Sequence, residues 1–100
     1  MIVRGIQVEV FEGKEAEFAR FFTETAIPLM RSQDGLVRLI PGLPRPESPN
    51  KFSMTMVWRD LDALIAFAGE DWAEPHVDPI EADLVKFRML HHYDLADGEI

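Results

Sequence analysis

Three stretches of the chain alternate between hydrophobic and polar residues, and one short run is mainly apolar. In the first stretch, Ile2–Val10, most of the even positions are apolar and the odd positions include Gly5, Gln7 and Glu9. The second and third alternating stretches are Phe52–Trp58 and Val85–Leu95, and the short apolar run is Leu36–Ile40. A period of two places alternate side chains on opposite faces of a strand. The pattern therefore predicts four β-strands.

Two segments between these strands have the spacing of amphipathic helices. From about Lys14, apolar residues recur at helical intervals, at Phe18, Phe21, Phe22, Ala26 and Leu29. Pro28 lacks a backbone N–H and is expected to kink or end this helix. The second helix is expected over Asp60–Ala68, with Asp60 as its N-cap, and a short helical piece over Ile80–Leu84.

The segment Pro41–Asn50 holds four of the seven prolines of the chain. Proline cannot donate a hydrogen bond to a strand ladder, so this segment cannot be a helix or a central strand. We expect an exposed, mobile loop whose shortening leaves the melting temperature nearly unchanged.

The order strand–helix–strand, strand–helix–strand predicts an α+β fold, the ferredoxin-like βαββαβ sandwich with a four-stranded antiparallel sheet. One hundred residues suit a single domain over 1–100. Two helices cover only one face of such a sheet, and several large apolar groups would remain exposed on the other. A second copy packed sheet against sheet would bury them, so we expect a homodimer.

Composition narrows the range of functions. The chain has 18 acidic against 10 basic residues, a formal net charge of −8, which disfavours binding to nucleic acid and to anionic membrane surfaces. The absence of cysteine excludes disulfides, thiolate nucleophiles and cysteine-ligated metals. No apolar run reaches the roughly 20 residues of a membrane span, and the first residues lack a signal-peptide pattern. We expect a cytoplasmic protein.

The end of the second helix carries the first group of candidate site residues. Phe67, Trp72 and His76 follow one another closely there. His76 has the chemistry of a general base or axial ligand, and Trp72 has a ring that can stack on an aromatic ligand. The same spacing is compatible with a surface histidine and with aromatic rings that close the core.

Strand residues supply the other candidates. Arg38 lies among apolar neighbours and could bind an anionic group bidentately or form a salt bridge, and Arg4 on the first strand offers the same two possibilities. His91 and His92 are adjacent on a strand, so their side chains point to opposite faces and cannot chelate one ion together. His91 shares a face with Tyr93, which makes both of them pocket candidates. We expect no metal site.

Several segments together resemble the antibiotic biosynthesis monooxygenase family of dimeric α/β-barrel proteins. They are the Phe-rich first helix ending at Arg31–Leu36, the strand Met54–Trp58, the Leu61–Phe67 helix with Trp72, and the terminal His92–Leu95. The resemblance implies a dimer in which two sheets form a barrel, with a cleft between each sheet and its helices. Some relatives oxygenate aromatic substrates without metal or flavin, and others bind and degrade heme.

The resemblance carries over only some of the family's catalytic residues. His76 lies near the histidine of the heme-degrading branch, whereas Phe67 stands where that branch has a tryptophan. The aromatic-oxygenating branch has an asparagine and a tryptophan four residues apart on the second helix, where this chain has Ala63 and Phe67. The resemblance implies a cofactor-independent monooxygenase that binds an aromatic small molecule, with His76 as base, Trp72 as stacking ring and Arg38 as polar anchor. The alternatives are a non-catalytic binding or structural module and a heme-binding relative.

Overall fold

The computed structural model describes residues 1–75, 79 and 81–96. Their helices and strands are, in chain order, β1 (Ile2–Val10), α1 (Glu15–Phe21), a π-helix (Phe22–Ala26), α2 (Ile27–Arg31), β2 (Leu36–Gly42), β3 (Lys51–Trp58), α3 (Leu61–Ala68) and β4 (Val85–Asp94). The four strands form an antiparallel sheet in the order β2-β3-β1-β4. The predicted ferredoxin-like α+β fold is confirmed.

The core lies between one face of the sheet and the helices. The even residues of β1 point to this face, and Arg4 pairs in register with Met56 on β3 and His92 on β4. The fully buried side chains include Val10, Trp58 and Leu64. The apolar alternation of β1 and β3 thus forms the sheet side of the core, as the period of two predicts.

The first helical stretch does not end at Pro28. A π-helix precedes the proline, and the N–H of Ile27 donates to the carbonyl of Phe22, five residues earlier. In a regular α-helix the ring of Pro28 would clash with the carbonyl four residues earlier. The wider π turn is the irregularity at the proline, and the helical path does not end there but continues through α2 to Arg31.

The proline-rich segment differs from its prediction in two ways. β2 continues through Pro41 to Gly42, which is tolerated because β2 is an edge strand. The segment also makes hydrogen bonds: Val10 N donates to Asn50 O at 2.9 Å, and Asn50 Nδ2 donates to Val10 O at 3.1 Å. Asn50 therefore ties the end of the loop to the end of β1, which corrects the expectation of a loop without a ladder.

The second predicted helix is confirmed with its cap. Asp60 Oδ1 accepts a hydrogen bond of 2.8 Å from Ala63 N at the start of α3. This bond and the charge of Arg59 lower the pKa of the Asp60 carboxyl. The helix ends at Gly69, whose φ of 88° lies in the left-handed region that favours glycine.

The predicted helical piece over Ile80–Leu84 lies partly outside the described residues. Residues 81–84 form a turn, closed by a hydrogen bond of 2.9 Å from Leu84 N to Glu81 O. Across the described part of the chain, no helix is both long enough and apolar enough to cross a membrane.

The sheet face that points away from the helices is called the open face below. It carries four large hydrophobic side chains that are about half exposed, namely Ile40 at 47%, Phe87 at 54%, Met89 at 39% and Tyr93 at 58%. A hollow of about 390 Å³ lies at one end of this face, beside the 43–48 loop. The predicted uncovered apolar surface is therefore present in the single chain.

Candidate functional site: a cleft between sheet and helices

A cleft of about 170 Å³ lies between the sheet and the first helical stretch. The helical side contributes Phe18, Phe21, Phe22, Ala26 and Leu29, and the sheet contributes Arg4, Ile6, Val8, Met54 and Met56. Most of this lining is apolar. The π-helix matters here because it supplies Phe22, Thr25 and Ala26 to the wall of the cleft.

Two walls of the cleft contain aromatic rings, one with edge-to-face contacts between rings and one with a stacked pair. The ring of Phe52 lies 4.7 Å from that of Phe18 in a T-shaped arrangement and 5.4 Å from that of Phe22. Phe67 stacks on Trp58 at 5.1 Å with an interplanar angle of 21°. Such ring pairs stabilise the fold by more than the burial of their surface does, and they favour particular ring orientations. A flat ligand would therefore meet a preformed aromatic surface.

Arg4 is one of three charged residues in this mainly apolar lining, together with Glu81 and Arg88. It is 2% exposed, and its Nη1 donates hydrogen bonds to Trp72 O at 2.6 Å and to His92 Nε2 at 2.9 Å. Among residues 1–75, 79 and 81–96, no carboxylate forms an ion pair with Arg4. Burial lowers the pKa of the guanidinium, although arginine remains charged at neutral pH.

His92 acts as the hydrogen-bond acceptor for Arg4. Since the guanidinium can only donate, Nε2 of His92 must be unprotonated and the imidazole neutral. Burial, followed by the charges of Arg4 and His91, lowers the pKa of His92 and favours this neutral form. The ring also meets the ring of Trp72 edge-on at 4.9 Å. Arg4, Trp72 and His92 form one connected group.

A second arginine lies toward the other end of the cleft. Arg88 pairs in register with Val8, and Arg4 lies four residues away from Val8 along β1, which is roughly 13 Å for an extended strand. Arg88 Nη2 lies 3.4 Å from Glu81 Oε1. Nε of Arg88 is buried and has no hydrogen-bond partner among the described residues. The positive charge of Arg88 is thus offset by Glu81, unlike that of Arg4.

Residues 1–74 match the family model of antibiotic biosynthesis monooxygenases. The chain belongs to this family. The match covers the cleft's aromatic walls and Arg4, and it confirms the resemblance seen in the sequence. No curated protein matches the chain.

Solved structures share the fold of this monooxygenase family member. A protein from Shewanella oneidensis is 20% identical with a TM-score of 0.76, over 92% of this chain and 87% of that chain. A candidate antibiotic biosynthesis monooxygenase from Deinococcus radiodurans is 14% identical with a TM-score of 0.78, over 100% and 97%. Another from Nitrosomonas europaea is 17% identical with a TM-score of 0.74, over 94% and 97%. These similarities show that the fold is shared.

One of the predicted site residues lines the cleft of this family member, and a second contacts Arg4. Phe67 lines the cleft from α3, and Trp72 is partly buried behind Arg4, which it holds through its backbone carbonyl. The ring of Trp72 packs on His92 and is not among the residues that line the cleft. His76, the predicted base, lies outside the described residues.

Three other predicted residues lie outside the cleft. Arg38, His91 and Tyr93 point to the open face, because their partners on neighbouring strands are odd-numbered residues of β1 and β3. The structure therefore places them on the opposite side of the sheet from Phe67. Strand alternation sends His92 to the helix side, and the sequence shows only that the two histidines point in opposite directions.

The structure places Arg4, already an anion-binding candidate, in the lining of the cleft and adds His92 beside it. Arg4 has a sequence signal, since it is a charged residue at an even position of β1 between Ile2 and Ile6. His92 has no comparable signal, because its contact with Arg4 joins residues 88 positions apart. Only the pairing of β1 with β4 brings them together.

Proposed function

We propose that this protein is a monooxygenase that binds a small aromatic molecule in the cleft and oxygenates it without metal or flavin. The observation that carries the proposal is the apolar, phenylalanine-walled cleft with the buried cation of Arg4 in its lining. Membership of the antibiotic biosynthesis monooxygenase family supports the reaction class.

The size of the cleft favours one aromatic ring. Its volume of about 170 Å³ is close to that of an engineered apolar cavity of about 150 Å³ that binds benzene. Pockets for drug-sized ligands usually measure about 300–1,000 Å³. A monocyclic phenol or hydroquinone therefore suits the cleft better than a polycyclic substrate does.

A phenol can supply all the electrons that this reaction needs. Loss of the phenolic proton makes the ring electron-rich, and the carbon opposite the oxygen can then reduce molecular oxygen. Overall, a phenol and one molecule of oxygen give a para-quinone and one molecule of water. One oxygen atom enters the ring and the other leaves as water, so no external reductant is required. His76 remains the proposed base for the proton transfer.

Heme does not fit the described residues of the cleft. A porphyrin is several times larger than the single ring for which about 170 Å³ has room. Of the two histidines that the structure describes, His92 already uses Nε2 to accept a hydrogen bond from Arg4, and His91 lies on the open face. We therefore derive no step through heme.

The proposal is tested by oxygen uptake with monocyclic phenols and hydroquinones in the presence of a metal chelator. With isotopically labelled oxygen, one labelled atom should appear in the quinone. Ala26→Trp, which fills the cleft, should reduce the rate at least tenfold. Glu24→Trp places the same ring on the exposed side of the π-helix and should leave the rate nearly unchanged.

Two results would contradict the proposed reaction. Binding of phenols without oxygen uptake would indicate a non-catalytic binding module. Equal activity in Ala26→Trp and the wild type would place the reaction outside the cleft.

We also propose that the protein is a homodimer joined through the open face. The half-exposed side chains of Phe87, Met89 and Tyr93 lie in a row along β4, and Ile40 is exposed on the opposite edge strand. Contiguous exposed apolar surface of this kind usually marks an interaction site. A second copy of the same sheet offers a matching surface.

A further inference from the structure

The guanidinium of Arg4 is a buried positive charge without a neutralising partner among the described residues. It is 2% exposed, and its two partners, a backbone carbonyl and a neutral imidazole, carry no negative charge. Burying an unpaired charge has a large free-energy cost. A negatively charged ligand bound in the cleft would neutralise Arg4 and offset this free-energy cost.

The hydrogen-bonding capacity of Arg4 is only partly used. A guanidinium has five N–H donors, and Nη1 provides the two that bind Trp72 O and His92 Nε2. In the part of the chain that the structure describes, Nε and Nη2 have no acceptor, and Arg4 lines the cleft. Three N–H groups thus remain for a ligand oxygen.

Trp72 and His92 also fix the direction of the guanidinium. Two bonds to the same nitrogen, at 2.6 Å and 2.9 Å, restrict rotation of the planar group. A planar, preoriented donor fork suits the two oxygens of a carboxylate or the single oxygen of a phenolate. The apolar residues beside it exclude water and strengthen such a contact.

We propose that Arg4 binds the negatively charged oxygen of an aromatic anion whose ring lies in the nearby apolar lining, beside Ile6, Met56 and Phe67. The inference rests on the proposed function, because it takes the cleft as the ligand site. The shared chemistry is an anionic oxygen attached to a single aromatic ring. Arg88 is not the anion site, because Glu81 already offsets its charge.

Calorimetric titration of benzoate and of benzamide, its neutral counterpart, tests the inference. The wild type should bind benzoate at least tenfold more tightly than benzamide, and Arg4→Met should abolish this preference. Arg31→Met removes an exposed arginine at the end of α2 and should retain the preference.

A second probe distinguishes a phenolate from a carboxylate. Nitrophenol changes its absorbance when it ionises, so its protonation state can be read while it is bound. If Arg4 contacts the phenol oxygen, the pKa of bound nitrophenol falls below that of the free molecule, because a nearby positive charge favours the anion. A preference for benzoate alone would assign the site to carboxylates, and a lowered nitrophenol pKa would assign it to phenolates.

The outcomes separate this inference from the proposed function. Equal binding of benzoate and benzamide, with an unchanged nitrophenol pKa, would overturn the role of Arg4 and leave the cleft as an aromatic site. Failure of every single-ring probe to bind would overturn both. If Arg4→Met does not fold, the benzoate preference and the nitrophenol pKa of the wild type decide the matter alone.

Discussion

Gly35 determines how closely α3 can approach the start of β2. It is buried, and its carbonyl accepts a hydrogen bond of 2.9 Å from Arg59 N. A Cβ atom at this position would overlap the Cβ of Ala63 and lie 3.7 Å from Cε3 of Trp58. The contact with the backbone of Ala63 is also short, at 3.3 Å. The absence of a side chain at residue 35 therefore lets α3 pack directly on the sheet.

Gly35→Ala should lower the free energy of unfolding by about 1–3 kcal/mol, because the added methyl group overpacks a close contact. Urea denaturation measures the change. In the background of Ala63→Gly the same substitution should be less damaging, since the overlapping atom is gone, and the double-mutant cycle isolates this coupling. An equal effect in both backgrounds would show that steric overlap with Ala63 is not the cause.

The stability of the protein should depend on pH through His92. Its pKa in the folded chain is lower than the ordinary value of 6.5, chiefly because the ring is buried and then because Arg4 is close. The unfolded chain therefore takes up the proton first as the pH falls. The stabilising contribution is present above pH 6.5 and is lost as the pH falls toward the folded pKa.

His92→Gln should reduce the loss of stability between pH 7.5 and pH 5.5, since glutamine can accept the bond from Arg4 and does not titrate. Melting temperatures at the two pH values give the comparison. His91→Gln removes the neighbouring imidazole on the open face and should change the pH dependence much less, because the charge of His91 is the smallest of the three causes that lower the pKa of His92. An equal pH dependence in the wild type and His92→Gln would contradict the role assigned to His92.

At the scale of helices, strands and loops, two irregular segments lie beside prolines, namely the π-helix and the loop after β2. The π-helix accommodates Pro28 and turns Phe22, Thr25 and Ala26 toward the cleft. π-Helical turns within helices are frequent at functional sites. The loop after β2 ends at Asn50, which forms two hydrogen bonds with the buried residue Val10. The π-helix thus forms part of the cleft, and the loop is hydrogen-bonded to the core.

Asn50→Ala should destabilise the protein by about 1–2 kcal/mol, because the carbonyl of Val10 loses its side-chain donor. Pro49→Ala, at the exposed neighbouring position, should change the stability much less. Thermal or urea denaturation of both variants measures the difference. Equal stability of Asn50→Ala and the wild type would restore the simpler expectation that the loop is dispensable.

At the scale of the whole molecule, the uncovered face of the sheet is the dominant feature. The helices protect one face, whereas the open face retains four large, half-exposed hydrophobic side chains. The order β2-β3-β1-β4 places Ile40 and the β4 residues Phe87, Met89 and Tyr93 on the two edge strands. The edge strand β4 therefore offers a row of three exposed hydrophobic residues to a partner, and Ile40 adds one on the opposite edge.

Light scattering should give a mass about twice the 11.4 kDa of one chain at micromolar concentration. A stable interface of this kind buries on the order of 1,500 Å² or more. Phe87→Glu should produce the mass of a single chain, because it places a charge in the interface. Leu61→Glu changes an exposed hydrophobic residue on α3 and should remain dimeric, and a wild-type mass near 11.4 kDa would contradict the dimer.

The sequence by itself determined the four strands, the two helical regions and the ferredoxin-like order, because these follow from local periodicity. Periods of two and of about 3.6 residues depend on side chains that lie near one another in the chain. The cap at Asp60 is equally local, since it reaches only three residues ahead to Ala63. The aromatic character of the cleft also follows from the sequence, through the Phe-rich first helix.

Only the tertiary structure decided which strand residues face the cleft. Alternation divides a strand into two sets but does not say which set meets the helices. The sequence favours His91, Tyr93 and Arg38 as pocket residues, whereas the structure brings His92 to Arg4. The contacts of Arg4 join it to Trp72 and His92, which lie 68 and 88 positions away. Such contacts arise from the pairing of β1 with β4 and from the return of the chain after α3, which no local pattern encodes.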